Sequence, residues 1–310
     1  MTERQLLIHI GYHKTATTWL QDHIFSNRQL GFASPWGNQA GLAVDEFVHA
    51  NPFKFDPRVA RAAFIDKLDA EIAKNLTAVL SNEALCGGPF NGVPYNFSRD
   101  VADRLHATFA EARILVTIRE QKSSIFSHYC QYCQGEAGNV EYFLSHGAKV
   151  PGFAPPCLLD HFEYDLLIGY YQKLYGSESV LVMPYELLQR DPTAYLQTLL
   201  RFAGKTVDIL PDYPPVRVRS KSASLEFRRQ CNRIRFGLAD WSKSRQSLAC
   251  RCVNKITHVL DSIVPSPIHA VFDRRIRTYI DRHVGNYYAE SNKRLCQLIR
   301  SDLSEFGYVV

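Results

Sequence analysis

Lys14, Thr15, Thr17 and Thr18 place one cation and three hydroxyls within five residues, inside the stretch LLIHIGYHKTATTWLQDHI that runs from 6 to 24. That set suits a phosphate or a sulfate. The surrounding residues say how it is held. Leu6 to Ile10 is a short apolar run of strand type, Gly11 to Thr15 is a polar turn, and Trp19, Leu20, His23 and Ile24 recur at helical spacing. A strand that empties through a turn into a helix aims several backbone N–H groups at one point, and the helix end adds a positive potential there. The stretch therefore predicts an anion cradle. His13 lies inside the turn, where it can touch a reacting partner or hydrogen-bond the backbone. His9, in the apolar strand, reads as a core histidine with one satisfied nitrogen.

Two further apolar runs end in chemistry. Thr77 to Ser81 leads into Asn82 and Glu83. Ala112 to Ile118 leads into Arg119, with Lys122, Ser123, Ser124, Ser127 and His128 close behind. Ligands of open α/β sheets bind outside the carboxyl ends of the strands, so neighbouring strands would bring a lysine, an arginine, a carboxylate and several hydroxyls together. That set describes transfer of a charged group. Arg119 can clamp two anionic oxygens with its planar fork while Ser127 donates a neutral hydrogen bond. Lys14 can follow the charge that builds on a bridging or leaving oxygen, and Glu83 can accept the proton of an incoming hydroxyl. The plainer alternatives are an Arg119 that pairs with a surface carboxylate and a Glu83 that caps a helix.

The elements that must position these residues follow a βαβα pattern. Helical periodicity covers Pro57 to Asn75, Ser98 to Phe109, a segment from about Lys122, a short one from Val140 to His146, Phe162 to Tyr175, Asp191 to Phe202, Ala270 to Tyr288 and Ser291 to Leu303. Val180 to Met183 is a fourth strand. Phe32 to Pro57 and 147–160 read as loops, and Trp36, Phe53, Phe55 and Phe90 fall in loop positions, where exposure is expected and aromatics favour binding. Tyr129, Tyr132, Phe143, Tyr164, Tyr170 and Tyr171 either wall a groove or fill the core. Apolar, unalternating strands separated by helices predict a three-layer α/β/α architecture with a central, mostly parallel sheet. The expectation is a single domain over 1–310, with a basic, irregular elaboration at about 205–262.

Composition narrows the class without deciding it. The chain has 310 residues, 46% of them hydrophobic, and contains no run of 18 apolar residues and no signal pattern near its start, so a cytoplasmic protein with no membrane span is expected. Eight cysteines without repeat spacing do not imply disulfides, and Cys130 and Cys133, although spaced CxxC, lack a second pair to complete a zinc site. The net charge of +5 is uneven: basic residues crowd 217–255 against only Glu226 and Asp240. Such a stretch gathers an anionic ligand, forms a solvated helical face, or contacts nucleic acid.

The nucleotide-triphosphate loop GxxxxGK[ST] fits badly, because the second glycine is missing and Lys14 stands three residues after Gly11. IGYHKTATTWLQ instead resembles the 5′-phosphosulfate loop of sulfotransferases that use 3′-phosphoadenylyl sulfate (PAPS). ILVTIREQKSSIFSHY, 114–129, is similar to that family's 3′-phosphate element, with Arg119 and Ser127 eight residues apart. VLVMPYELLQRDP resembles the segment after a later core strand, where Tyr185 and Glu186 match a usual Tyr-Glu pair, and ESNKRLCQLIRSDLSEFGY resembles a common C-terminal helix. The resemblance implies a P-loop-like sulfotransferase fold. It implies that Gly11, Lys14, Thr15, Ala16, Thr17 and Thr18 hold the 5′-phosphosulfate, with Lys14 on the bridging oxygen, and that Arg119 and Ser127 hold the 3′-phosphate. Glu83 matches the catalytic base of the glycan-modifying branch, with His13 a further catalytic candidate. Arg217, Arg219 and Lys221 in VRVRSKSAS are the nearest match to the family's basic cofactor lid, although the usual glycine is absent.

The expected reaction is in-line transfer of a sulfuryl group to a hydroxyl, with 3′-phosphoadenosine 5′-phosphate (PAP) leaving and no metal required. The expected acceptor is a carbohydrate or other aliphatic alcohol, with an anionic small molecule favoured by the basic stretch. Two other readings compete: a magnesium-dependent nucleotide kinase or NTPase, and a non-enzymatic polyanion or nucleic-acid binder built on 217–255.

Overall fold

The computed structural model describes residues 5–38, 40–90, 97–144, 155–206, 222–238 and 248–310. In chain order the elements are β1 (Leu6–His9), α1 (Thr17–Leu20), β2 (Phe32–Ala33), α2 (Gly41–Ala43), α3 (Pro57–Ile72), β3 (Thr77–Ser81), α4 (Ser98–Thr108), β4 (Arg113–Ile118), α5 (Gln121–Tyr132), α6 (Val140–Phe143), α7 (Tyr164–Tyr175), β5 (Val180–Pro184), α8 (Tyr185–Arg190), α9 (Pro192–Phe202), α10 (Ser222–Leu238), α11 (Leu248–Ile263), α12 (Ser266–Val284) and α13 (Ala289–Ile299). The five strands form one sheet in the order β2-β3-β1-β4-β5. Every pairing is parallel, and His9 stands directly opposite Ser81.

Local chemistry explains where the helices start. Asp56 accepts from the Arg58 N–H at 2.8 Å with Pro57 in the first helical turn, and Asp191 accepts from the Ala194 N–H at 2.9 Å with Pro192 placed likewise. Strands β1, β3 and β4 are buried on both faces, as their unbroken apolar composition requires. On one face Leu7, Val79, Leu115 and Met183 pack against Leu20 of α1, Leu188 of α8 and Leu196 and Leu199 of α9. The intervening residues Ile8, Leu80, Ile114 and Val116 are equally buried, and α3, α4 and α7 pack together and onto β3, β4 and β5. The result is the expected three-layer architecture, with helices on both sides of a central parallel sheet.

The chain groups into two compact units. The first spans 1–120, 159–216 and 288–310 and contains the whole sheet. The second spans 121–158 and 217–287 and is helical among the described residues. Within it, Asn232 of α10 donates to the carbonyls of Cys133 and Glu136, each at 3.1 Å, Arg229 donates to the Ala137 carbonyl at 2.9 Å, and the Arg277 guanidinium lies 4.0 Å from the Phe126 ring centroid.

Two segments differ from the sequence expectation. The Phe32 to Pro57 stretch, read as a loop, contains the edge strand β2, too short for any periodicity to reveal, and α2 with a π-helical turn over Val44–Val48. The stretch read as irregular contains α10 and α11. On α10 the inward positions include Arg229 and Asn232, whose polar heads break the apolar stripe by which a helix is recognised. Among the described residues no helix is long and apolar enough to cross a membrane.

Candidate functional site

The segment after β1 continues to pair with β4: the Ile10 N–H donates to the Leu115 carbonyl at 3.0 Å and the Tyr12 N–H to the Thr117 carbonyl at 2.9 Å. Gly11 sits between these bonds, where a Cβ would lie 2.1 Å from Thr117 Oγ1 and 2.4 Å from His9 Nε2. Only glycine fits. Lys14 and Ala16 then adopt left-handed backbone conformations, with φ of 70° and 65°. For residues with a side chain this is uncommon and clusters at functional sites. The chain enters α1 without a capping side chain at Ala16 and runs on through a π-helical turn over Gln21–Phe25.

The hydroxyls of the loop have different assignments. Thr15 is buried, donating to the Tyr12 carbonyl and paired with Thr117 Oγ1 at 2.7 Å, so it can meet a ligand only through its backbone. Thr17 is buried, and its Oγ1 has no hydrogen-bond partner among the described residues. Thr18 is exposed and Lys14 half-buried.

Glu83 opens a 3-10 turn over Glu83–Cys86 that Asn82 caps by accepting from the Ala84 N–H at 2.8 Å. Asn82 therefore does the capping, and Glu83 is released for other contacts. Its Oε1 lies 3.1 Å from His13 Nδ1, so β1 and β3 together bring His13 and Glu83 into contact. Burial pushes the Glu83 carboxyl upward, but the hydrogen bond from His13 and the charges of His13 and Lys14 outweigh it, and its pKa is held below the ordinary value. At neutral pH the group is a carboxylate, ready to accept a proton.

Arg119 follows β4 and reaches back to the loop. Its Nη1 donates to the Lys14 carbonyl at 3.1 Å, its guanidinium lies 4.9 Å from the centroid of the Tyr185 ring, and its own carbonyl accepts from Tyr164 Oη at 2.7 Å. Glu186 accepts from the Glu120 N–H at 2.9 Å, and burial raises its pKa against the pull of that bond and of Arg119. The Tyr-Glu pair thus buttresses the arginine turn. Tyr164 was not legible as a part of it, since its place in α7 offers only a helical aromatic.

Buried polar groups almost always have a partner. Arg119 Nε, like Thr17 Oγ1, is buried without one among the described residues, and anionic oxygens would satisfy both. The residues present therefore fit a phosphate- or sulfate-bearing ligand.

Ser127 belongs to the second unit, half-buried on α5. In that helix His128 is buried, with Nδ1 2.8 Å from the Ser124 carbonyl. Arg217, Arg219 and Lys221 lie outside the described residues. Within the same basic stretch Arg228 donates to the Gln134 carbonyl at 2.8 Å and Arg229 pairs with Glu226 at 2.6 Å. Cys130 and Cys133 are buried free thiols, and burial pushes Cys133 up to about 12. Of the aromatics, Tyr164 and Tyr171 are core, whereas Phe53 is 98% exposed.

No family model and no curated protein matches this sequence. Among solved structures, the chain is similar to the crystal structure of a sulfotransferase from Alicyclobacillus acidocaldarius, with a TM-score of 0.58, 16% identity, and coverage of 98% of this chain and 99% of that one. The likeness extends over the whole fold. The chain has the α/β fold of a sulfotransferase.

Proposed function

We propose that the chain is a PAPS-dependent sulfotransferase acting on the hydroxyl of a carbohydrate or other aliphatic alcohol. The observation that carries the reading is the left-handed Lys14 loop, tied through the Lys14 carbonyl to Arg119, with the Thr17 hydroxyl and the Arg119 Nε both unsatisfied among the described residues, on a fold shared with a sulfotransferase. PAPS, when bound, supplies the sulfuryl group. Gly11 lets the loop pass against His9 and Thr117, and Thr17, Thr18 and the backbone of Thr15 and Ala16 hold the 5′-phosphosulfate. Lys14 meets the negative charge that grows on the bridging oxygen. Arg119 takes the 3′-phosphate, with Ser127 as its partner on the strength of the sequence motif, and Arg217, Arg219 and Lys221 are assigned to the lid on the same ground. Glu83 removes the acceptor's proton, and His13 orients the carboxylate that does so.

Calorimetric titration with PAP, with ATP plus magnesium as the comparison, tests the reading. Tight PAP binding that is lost in Arg119→Ala is the expected result. Binding of ATP–magnesium in preference to PAP would overturn it in favour of a kinase or NTPase.

A further inference from the structure

Beneath the anion loop lies a buried polar chain that the proposed chemistry does not use. His9 Nδ1 is 2.8 Å from Ser81 Oγ, and His9 Nε2 is 3.1 Å from Thr117 Oγ1. Thr117 Oγ1 is in turn 2.7 Å from Thr15 Oγ1. At the other end Gln21 Nε2 donates to Ser81 Oγ at 3.0 Å and to the Ser81 carbonyl at 3.1 Å. All five side chains are buried.

Because burial keeps the His9 ring neutral, proton counting fixes the direction of every bond. A carbonyl only accepts, so the single hydroxyl proton of Thr15 goes to the Tyr12 carbonyl. Thr15 Oγ1 must then accept from Thr117, which spends the only proton of Thr117. Thr117 Oγ1 must therefore accept from His9, and the donor is Nε2–H. Nδ1 of the neutral ring is left as an acceptor, which the Ser81 hydroxyl fills, and Ser81 Oγ accepts from Gln21. The chain runs one way: Gln21 to Ser81 to His9 to Thr117 to Thr15 to the Tyr12 carbonyl.

We infer that His9, locked as the Nε2–H tautomer, is a positioning residue that sets the shape of the anion loop through Thr117 and Thr15. Its reach is specific. Thr117 anchors the loop twice, by its carbonyl to the Tyr12 N–H and by its hydroxyl to Thr15, and it faces the one position where the loop has no Cβ. The chain also explains why Thr17 and not Thr15 offers a hydroxyl to a ligand: the Thr15 proton is already committed. Supporting groups of this kind hold contact residues in their productive geometry without touching the ligand. The identity of the ligand rests on the reading above; the role of His9 does not.

The test is ligand-free first. Two-bond proton–nitrogen correlation on ¹⁵N-histidine protein at pH 7 should show His9 as the Nε2–H tautomer, and an Nδ1–H tautomer or a cation would overturn the inference. Amide exchange across 11–18 should rise about tenfold, the equivalent of one net hydrogen bond, in His9→Phe and in Thr117→Val. It should return towards wild type in His9→Gln, which keeps a donor for Thr117, and in Thr117→Ser, with exchange in α3 unchanged throughout. Equal exchange in Thr117→Val and wild type would also overturn it, and Thr117→Val, nearly the same shape, decides the matter if His9→Phe does not fold. Inorganic pyrophosphate affinity should follow the exchange ranking. A wild-type protein with the Nε2–H tautomer and the exchange pattern but no affinity for PAP would count against the sulfotransferase reading and leave His9 in its role.

Discussion

Gly11→Ala perturbs the site at a single atom whose surroundings are known. The added methyl would stand 2.1 Å from Thr117 Oγ1, 2.4 Å from His9 Nε2 and 2.8 Å from His9 Cε1. Neither neighbour can swing away, because His9 and Thr117 are both buried and each is held by its own hydrogen bonds. Overpacking of this kind costs about 1–3 kcal/mol. Forcing His9 and Thr117 apart leaves buried donors and acceptors unpaired, which adds about 1–3 kcal/mol. The sum is a loss of roughly 2–6 kcal/mol, a large share of the ~5–15 kcal/mol by which a domain is stable. With a urea slope of about 1–3 kcal/mol per molar, the unfolding midpoint should drop by roughly 0.7 M or more at an unchanged slope. Urea titration followed by tryptophan fluorescence reads this directly, since Trp19 lies on the helix that follows the loop. Gly41→Ala is the matched control, as nothing lies within 4 Å of its Cβ position and its φ is not left-handed; it should change stability by less than ~0.5 kcal/mol. A Gly11→Ala midpoint indistinguishable from that of Gly41→Ala would refute the packing argument.

Further consequences can be measured separately. Lys14→Ala should lose about 3 kcal/mol of transition-state stabilisation, roughly a hundredfold or more in kcat, and single-turnover kinetics with PAPS would contradict the assignment by showing near-full rates. Glu83→Gln should slow turnover by about 10²–10⁴. Because the Glu83 pKa is depressed, the acid limb of the wild-type rate profile should fall below the ordinary 4.5, and a limb well above it would remove Glu83 as the base. Burial holds His9 neutral down to about 3, against the opposing charge of Glu83, and burial with the neighbouring His13 holds His161 to about 3. Between pH 6.5 and 3 the unfolded chain therefore binds more protons, so stability should be full above 6.5 and decline as pH falls, by at most roughly 5 kcal/mol for each histidine; chemical denaturation across that window tests the sign. Cys133, buried with its thiol pushed up to about 12, should react with thiol reagents only after unfolding, and rapid labelling of native protein would disprove its burial.

The anion loop was legible because it is local. Strand, turn and helix follow one another within 6–24, and the lysine and hydroxyls lie where backbone geometry points them. The strand ends were legible for a related reason: an apolar run that stops at Glu83 or Arg119 marks its own boundary, and unalternating strands announce a parallel sheet with helices on both faces. The edge strand and α10 escaped, the first for brevity and the second because Arg229 and Asn232 face inward to carbonyls that periodicity cannot foresee.

Convergence was a different matter. No local pattern encodes the order β3-β1-β4, yet that order alone brings His13 to Glu83 and Arg119 to the Lys14 carbonyl. It also gives His9 its two partners, which come from strands 72 and 108 residues away, so a histidine expected to satisfy one nitrogen satisfies both. Periodicity and turn chemistry act over a few residues and specify the elements and their polar ends. Which hydroxyl is spent inside the protein, which is left for a ligand, and why position 11 admits no side chain depend on atoms that only strand pairing brings within bonding distance.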